Sequence, residues 1–149
     1  GIRYDLIPHP HSATSLQSAT AAKLPPEQVI KAVLTQDGDN YQLCLLPASY
    51  RLDMARLNEY MRGHFELAPE DDLDVIFDDC ETGAVPALGQ VYGFHVIWDE
   101  SLMAQDDLYM EAGDHENLIH LTRGAFMELM GLQDHAAMSR PYGVHRIWH

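Results

Sequence analysis

The chain has 149 residues, 46% of them apolar and 21% charged, enough for one globular domain with its own core. Nine Lys and Arg stand against 23 Asp and Glu, a formal net charge of −14. That balance argues against binding along a long stretch of nucleic-acid backbone, which needs many cations, and leaves open a grip on the end of one. No apolar run approaches the roughly 18 residues of a membrane helix. Gly1–Asp5 has neither the basic start nor the apolar stretch of a signal peptide, so a cytoplasmic protein is expected. A chain that starts with Gly1 instead of Met is expected to be processed or truncated.

In chain order, Ser12 to Lys23 reads as a helix of small residues, capped by Ser12 and ended by Pro25-Pro26. Gln28 to Thr35 is β-branched and apolar, hence a strand, with Lys31 in its middle. Asp37-Gly38-Asp39-Asn40 is a hairpin turn signal, and Tyr41 to Pro47 is the return strand. Leu52 to Met61 carries apolar residues at helical spacing, at 52, 54, 57 and 61. Ala68-Pro69-Glu70-Asp71-Asp72 opens another helix, to about Phe77, with proline in the first turn and acids at the positive end of the dipole. A glycine-rich loop follows. Tyr92 to Trp98, Asp107 to Ala112 and Leu118 to Thr122 read as strands, and Arg123 to Met130 as a closing helix ended by Gly131. Residues 132–149 lack clear periodicity and read as a tail. The order predicts one mixed α+β domain over 1–149 with a largely antiparallel sheet, not the βαβ alternation of a doubly wound fold.

Three features carry chemistry. Lys31 lies between Val29-Ile30 and Ala32-Val33-Leu34. Strand alternation puts it on the face of Val29 and Val33. A lysine there is either an edge-strand device against aggregation or a point charge for a phosphate, a carboxylate or a carbonyl. Gly83, Pro86, Gly89 and Gly93 make residues 83–93 stiff, bent and poor in side-chain bulk. Such a segment is either a plain turn or a shelf of backbone N–H and C=O groups that holds a water or a substrate amine. His115 follows Gly113-Asp114 at a strand end, either as a surface residue or as a site residue.

Other candidates are weaker. Cys44 and Cys80 share no Cys-x-x-Cys spacing and read as reduced thiols. Asp78, Asp79 and Glu81 would raise the pKa of a nucleophilic Cys80. His9, His11, His135, His145 and His149 have no ligand spacing, so no metal and no cofactor is expected. Trp98 and Trp148 read as packing residues.

Pro26 to Leu34, Tyr41 to Ala48, Phe77 to Gly89 and Glu111 to His115, in this order, resemble the YbaK/prolyl-tRNA synthetase-associated editing domain, with a likeness over about residues 9–130. The resemblance implies a curved mixed sheet, partly closed like a barrel, with flanking helices and the tail 132–149 outside that core. It implies hydrolysis of the ester between a wrongly attached small amino acid (Ala, Cys or Ser) and the 3′-terminal adenosine of a tRNA, with tRNA(Pro) first in line. No metal is implied. Lys31 matches the family's strand lysine, associated with the terminal nucleotide and the ester. Gly83, Ala84, Val85 and Pro86 match the Gly-x-x-Pro loop that contacts the aminoacyl group and places the water. His115 matches a histidine found in part of the family. The implied partners are the aminoacyl-tRNA acceptor end and a prolyl-tRNA synthetase, with the chain free-standing. The rival expectation, prompted by the acidic surface, is a non-catalytic module of the same fold that recognises a small ligand, a nucleotide or a protein.

Overall fold

A computed structural model describes residues 5–8, 22–68, 95–111 and 117–141, with the backbone alone at 5–8 and at Glu111. Ten strands and two α-helices occur among them: β1 (Asp5–Pro8), β2 (Val29–Asp37), β3 (Asn40–Pro47), β4 (Tyr50–Leu52), α1 (Met54–Met61), β5 (Glu66–Leu67), β6 (His95–Asp99), β7 (Asp107–Glu111), β8 (Asn117–Thr122), α2 (Arg123–Met130), β9 (Asp134–Ala136) and β10 (Ser139–Pro141). The main sheet runs β1-β8-β7-β2-β3-β6-β9, and β5 adds to β2. Four of its pairings are antiparallel; β2/β7, β3/β6 and β6/β9 are parallel. β4 and β10 form a separate antiparallel pair. The sheet is curved and mostly antiparallel, as expected, and among the described residues it does not close into a barrel.

The hairpin arises from local code. Asp37 pairs with Asn40, so the loop is the two residues Gly38-Asp39. Gly38 takes φ +61°, which only glycine adopts without cost at the start of such a tight turn. The strands it joins are covered on both faces. On one face, Ile30, Leu34, Leu43, Leu45, Val96 and Trp98 pack under Phe126 and Met130 of α2. On the other, Val33, Cys44, Leu46 and Ile97 pack against Leu57 of α1 and against Ala136 and Met138. The strict period of two thus sorts neighbouring residues into two cores. Removing one of the large buried side chains costs about 2–5 kcal/mol.

Both helices have definite ends. The Asp53 carboxylate accepts from the N–H groups of Ala55 and Arg56, and Thr122 Oγ1 accepts from Ala125 N–H. Gly131 N–H closes α2 on Met127 O at 2.8 Å. A Cβ at Gly131 would lie 2.5 Å from that carbonyl, so this glycine permits a close approach and its φ is ordinary.

Three expectations need correction. The second helix does not begin at Leu52; Tyr50–Leu52 is strand β4, and Asp53 caps a helix from Met54. Leu52 has helical spacing to the following residues, but it is paired with Ser139. Residues 134–141 are not without structure: they supply β9 and β10, and Ala136 and Met138 are buried. The Asp99 carboxylate holds this segment by accepting from Met138 N–H at 2.9 Å. Lys31 does not lie on an edge strand, because β2 has neighbours on both sides, although among the described residues positions 31–33 are paired on the β3 side alone. The expected helices at 12–23 and 68–77 lie outside the described residues, apart from Ala22, Lys23 and Ala68, none of which is in a helix. No described helix is long and apolar enough to cross a membrane.

Candidate functional site

Strand β2 has a full partner on one side, β3, and two partial ones on the other. β7 pairs with it at Val29 and Ile30; β5 pairs with it at Thr35 and Gln36. Ala68 N–H extends the β5 side by donating to Leu34 O at 3.0 Å. Among the described residues, positions 31–33 of β2 are left without a ladder partner on this side, a split that begins at Lys31. On the second face of the sheet, Lys31 lines a cavity of about 420 Å³. That volume is within the range of small-ligand sites, about 300–1,000 Å³.

Six described residues line it: Lys31 and Val33 from β2, Arg51 and Leu52 from β4, Met54 from the first turn of α1, and Leu67 from β5. Among these residues the walls are apolar and the charges are two cations. Lys31 is half-buried and makes polar contacts of its own. Arg51 is exposed, and among the described residues it has no carboxylate partner. Such a chamber suits an anion joined to an apolar or uncharged body. Lysine supplies a point charge; arginine supplies a planar fork that fits phosphate or carboxylate.

A second cavity, about 580 Å³, lies at the other end of α1 on the same sheet face, and its lining includes Asp37, Gln42, Met61, Arg62, Phe65 and His95. It is more mixed in charge, and none of the residues singled out from sequence lines it.

Of the predicted site residues, Lys31 is the described one, and it lines the first cavity. Gly83, Ala84, Val85, Pro86 and His115 lie outside the described residues, as do Cys80, His9, His11, His145, His149 and Trp148. His135 is accounted for by packing: it stacks on Trp98 and its Nδ1 lies 2.8 Å from Glu100 Oε2. Trp98 packs as expected, edge-on to Phe126. Cys44 is buried and unpaired to sulfur, and burial pushes its thiol pKa up to about 12, against a smaller lowering by Thr35. It is therefore a packing residue. No group of three metal-ligating side chains occurs among the described residues. Sequence reasoning missed Arg51, because it assigned the start of this segment to a helix. The signal available was a cation two residues before an N-cap aspartate.

Residues 9–129 match the family model of the aminoacyl-tRNA editing domain. The chain belongs to the aminoacyl-tRNA editing domain family. Solved structures share the fold of this editing domain at low identity. The hypothetical protein APE2540 superposes with a TM-score of 0.80 at 17% identity, over 93% of this chain and 92% of that one. A protein described as "a putative trans-editing enzyme for prolyl tRNA synthetase" superposes with a TM-score of 0.79 at 20% identity, over 92% and 87%. No curated protein matches the editing domain.

Proposed function

We propose that this editing domain is a deacylase acting in trans. Its substrate would be the ester that joins a mischarged small amino acid, of the Ala, Cys or Ser class, to the 3′ end of a tRNA, with tRNA(Pro) the favoured carrier. The observation that carries this reading is the position of Lys31: a lysine in the split of the sheet, facing a cavity of small-ligand size beside a second cation. The family supports the reaction class, and the neighbour's description as a prolyl tRNA synthetase trans-editing enzyme supports the choice of tRNA.

Chain connectivity is also favourable. Residues 69–94, which include the Gly83–Pro86 motif, follow Ala68, whose N–H bonds β2 within three residues of Lys31. Residues 112–116, which include His115, follow Glu111, one step beyond the Ile30–Met110 pair. The segments that carry both motifs therefore start from residues bonded to β2 near Lys31.

In this reading Lys31 holds the terminal nucleotide and the ester. Backbone groups of Gly83, Ala84, Val85 and Pro86 hold the amino acid, and their N–H donors (proline has none) face the carbonyl oxygen. A water held there adds to the ester carbon. The bond to the ribose oxygen breaks, that oxygen takes up a proton with help from His115, and the free amino acid leaves. An aminoacyl ester is already activated, so orientation and oxyanion stabilisation are sufficient. Pocket size selects the amino acid, since one methylene is worth about 1–3 kcal/mol.

The test is a deacylation panel: tRNA(Pro) charged with Ala, Cys, Ser or Pro, and Ala- and Ser-tRNAs of other kinds, with wild type and Lys31→Ala. Rapid Lys31-dependent release of one small amino acid is expected. A folded protein that releases none of them would sink the proposal and favour a non-catalytic module.

A further inference from the structure

The acidic composition poses a problem for any RNA-binding role, and the distribution of the few cations answers it. Seven Lys and Arg are described: Lys23, Lys31, Arg51, Arg56, Arg62, Arg123 and Arg140. Four of the seven belong to one neighbourhood. Lys31 and Arg51 line the same cavity. Arg51 and Arg140 are directly opposed in the β4–β10 ladder, so their side chains leave the same face. Arg56 Nε and Arg140 Nε lie 3.7 and 4.0 Å from the same oxygen, Asp53 Oδ2. Asp53 is the carboxylate of this cluster, and its other oxygen is committed to capping α1.

Two arginines placed opposite each other across a ladder repel, and such a pair lowers the stability of the strands. Among the described residues, one shared carboxylate does not balance the three arginines. Arg51, Arg56 and Arg140 are all exposed, so their planar forks are available to an external anion. An extended polyanion fits better than a single small anion, because the charges run from the mouth of the cavity across β4 and β10 to the start of α1.

We propose that the arginine face made by β4 and β10, with Arg56 beside it, holds the ribose-phosphate backbone of an RNA stem whose 3′ end enters the Lys31 cavity. The inference rests on the deacylase reading for the direction of the RNA, but the binding surface can be tested without catalysis. A net charge of −14 then serves selectivity: it repels nucleic acid everywhere else and confines the contact to this face.

The test uses an uncharged RNA hairpin with a single-stranded CCA end, labelled for fluorescence anisotropy, titrated with the full chain at several salt concentrations. Arg140→Gln, Arg51→Gln and their double variant are compared with wild type. Each single change is expected to weaken binding about tenfold at low salt, the size of one charge-assisted hydrogen bond. Each is also expected to flatten the plot of log affinity against log salt by about one unit. Arg140→Lys should restore the salt slope, which separates charge from a folding defect. Arg123→Gln, whose side chain bonds Met103 O and pairs with Asp106, should change nothing.

An unchanged salt slope in the double variant, or an equal loss in Arg123→Gln, would overturn the proposal. Deacylation is measured separately. Arginine-dependent RNA binding without hydrolysis of any charged tRNA would retire the deacylase reading and keep the surface. Hydrolysis whose KM ignores both arginines would do the reverse.

Discussion

The indole Nε1 of Trp98 donates a 2.9 Å hydrogen bond to the carbonyl of Met130, tying β6 to the last turn of α2. Both residues are buried, and this carbonyl is satisfied twice: it also accepts from Gln133 N–H at 2.9 Å. Trp98→Phe keeps the ring and removes the donor. It should lower stability by about 1 kcal/mol in urea titration, the net worth of one buried hydrogen bond plus the lost ring volume, since Gln133 N–H still serves the carbonyl. A change within about 0.3 kcal/mol would show that another donor takes over.

Cys44 should be inert to thiol reagents in the folded protein and react only on unfolding. The sign of its pH effect follows from its raised pKa, from an ordinary 9.0 to about 12, caused by burial. The stability it supports is complete below pH 9 and is lost as pH rises toward 12, because the unfolded chain gives up this proton first. Cys44→Ala should therefore flatten the alkaline fall of stability between those limits. Labelling of Cys44 by iodoacetamide at pH 8 without denaturant would contradict this.

Asp53 has two separable roles, and two substitutions divide them. Asp53→Ala removes the N-cap of α1 and should cost about 1 kcal/mol. Asp53→Asn keeps an acceptor for Ala55 and Arg56 and should cost less. It also removes the charge beside Arg56 and Arg140, so it should bind the RNA hairpin more tightly than wild type, by about threefold. Weaker binding by Asp53→Asn would mean that the carboxylate organises the arginines and does not compete for them.

Met138 tests whether residues 134–141 belong to the fold. It is fully buried, its N–H donates to Asp99, and its carbonyl accepts from Asp53 N–H at 2.8 Å. Met138→Ala should cost about 2–5 kcal/mol and shift the whole unfolding transition. A separate early transition would mark this segment as an independent unit.

Lys31→Arg asks whether charge alone is enough. Arginine keeps the charge but replaces a point donor with a wider fork. Deacylation of the preferred substrate should fall at least tenfold with the RNA hairpin affinity nearly unchanged, and Lys31→Ala should fall further, about a hundredfold or more. Full activity in either variant would remove Lys31 from the site.

Local code determined much of this protein. The β-branched run 28–35 and the Asp37-Gly38-Asp39-Asn40 turn specify the hairpin, because the signal and the structure lie within a few residues of each other. The same holds for α2, which starts on Thr122 and stops at Gly131. Lys31 stood out because a lysine among apolar strand residues is costly unless it has a partner or a purpose. Family membership was legible too, since it rests on motifs spaced along most of the chain.

The tertiary structure decided the rest. β9 and β10 are three residues each, too short for periodicity, and they form because Asp99, Trp98 and β4 offer them partners. The parallel joins of β2 to β7 and of β3 to β6 connect residues far apart in sequence, which no local pattern encodes. Arg51 reads as an ordinary polar residue before a helix until the ladder sets it opposite Arg140 and the split in β2 sets it beside Lys31. A strand's own sequence fixes which of its residues share a face. Which strand it lies against, and so which charges meet across a cavity, depends on how the whole sheet assembles.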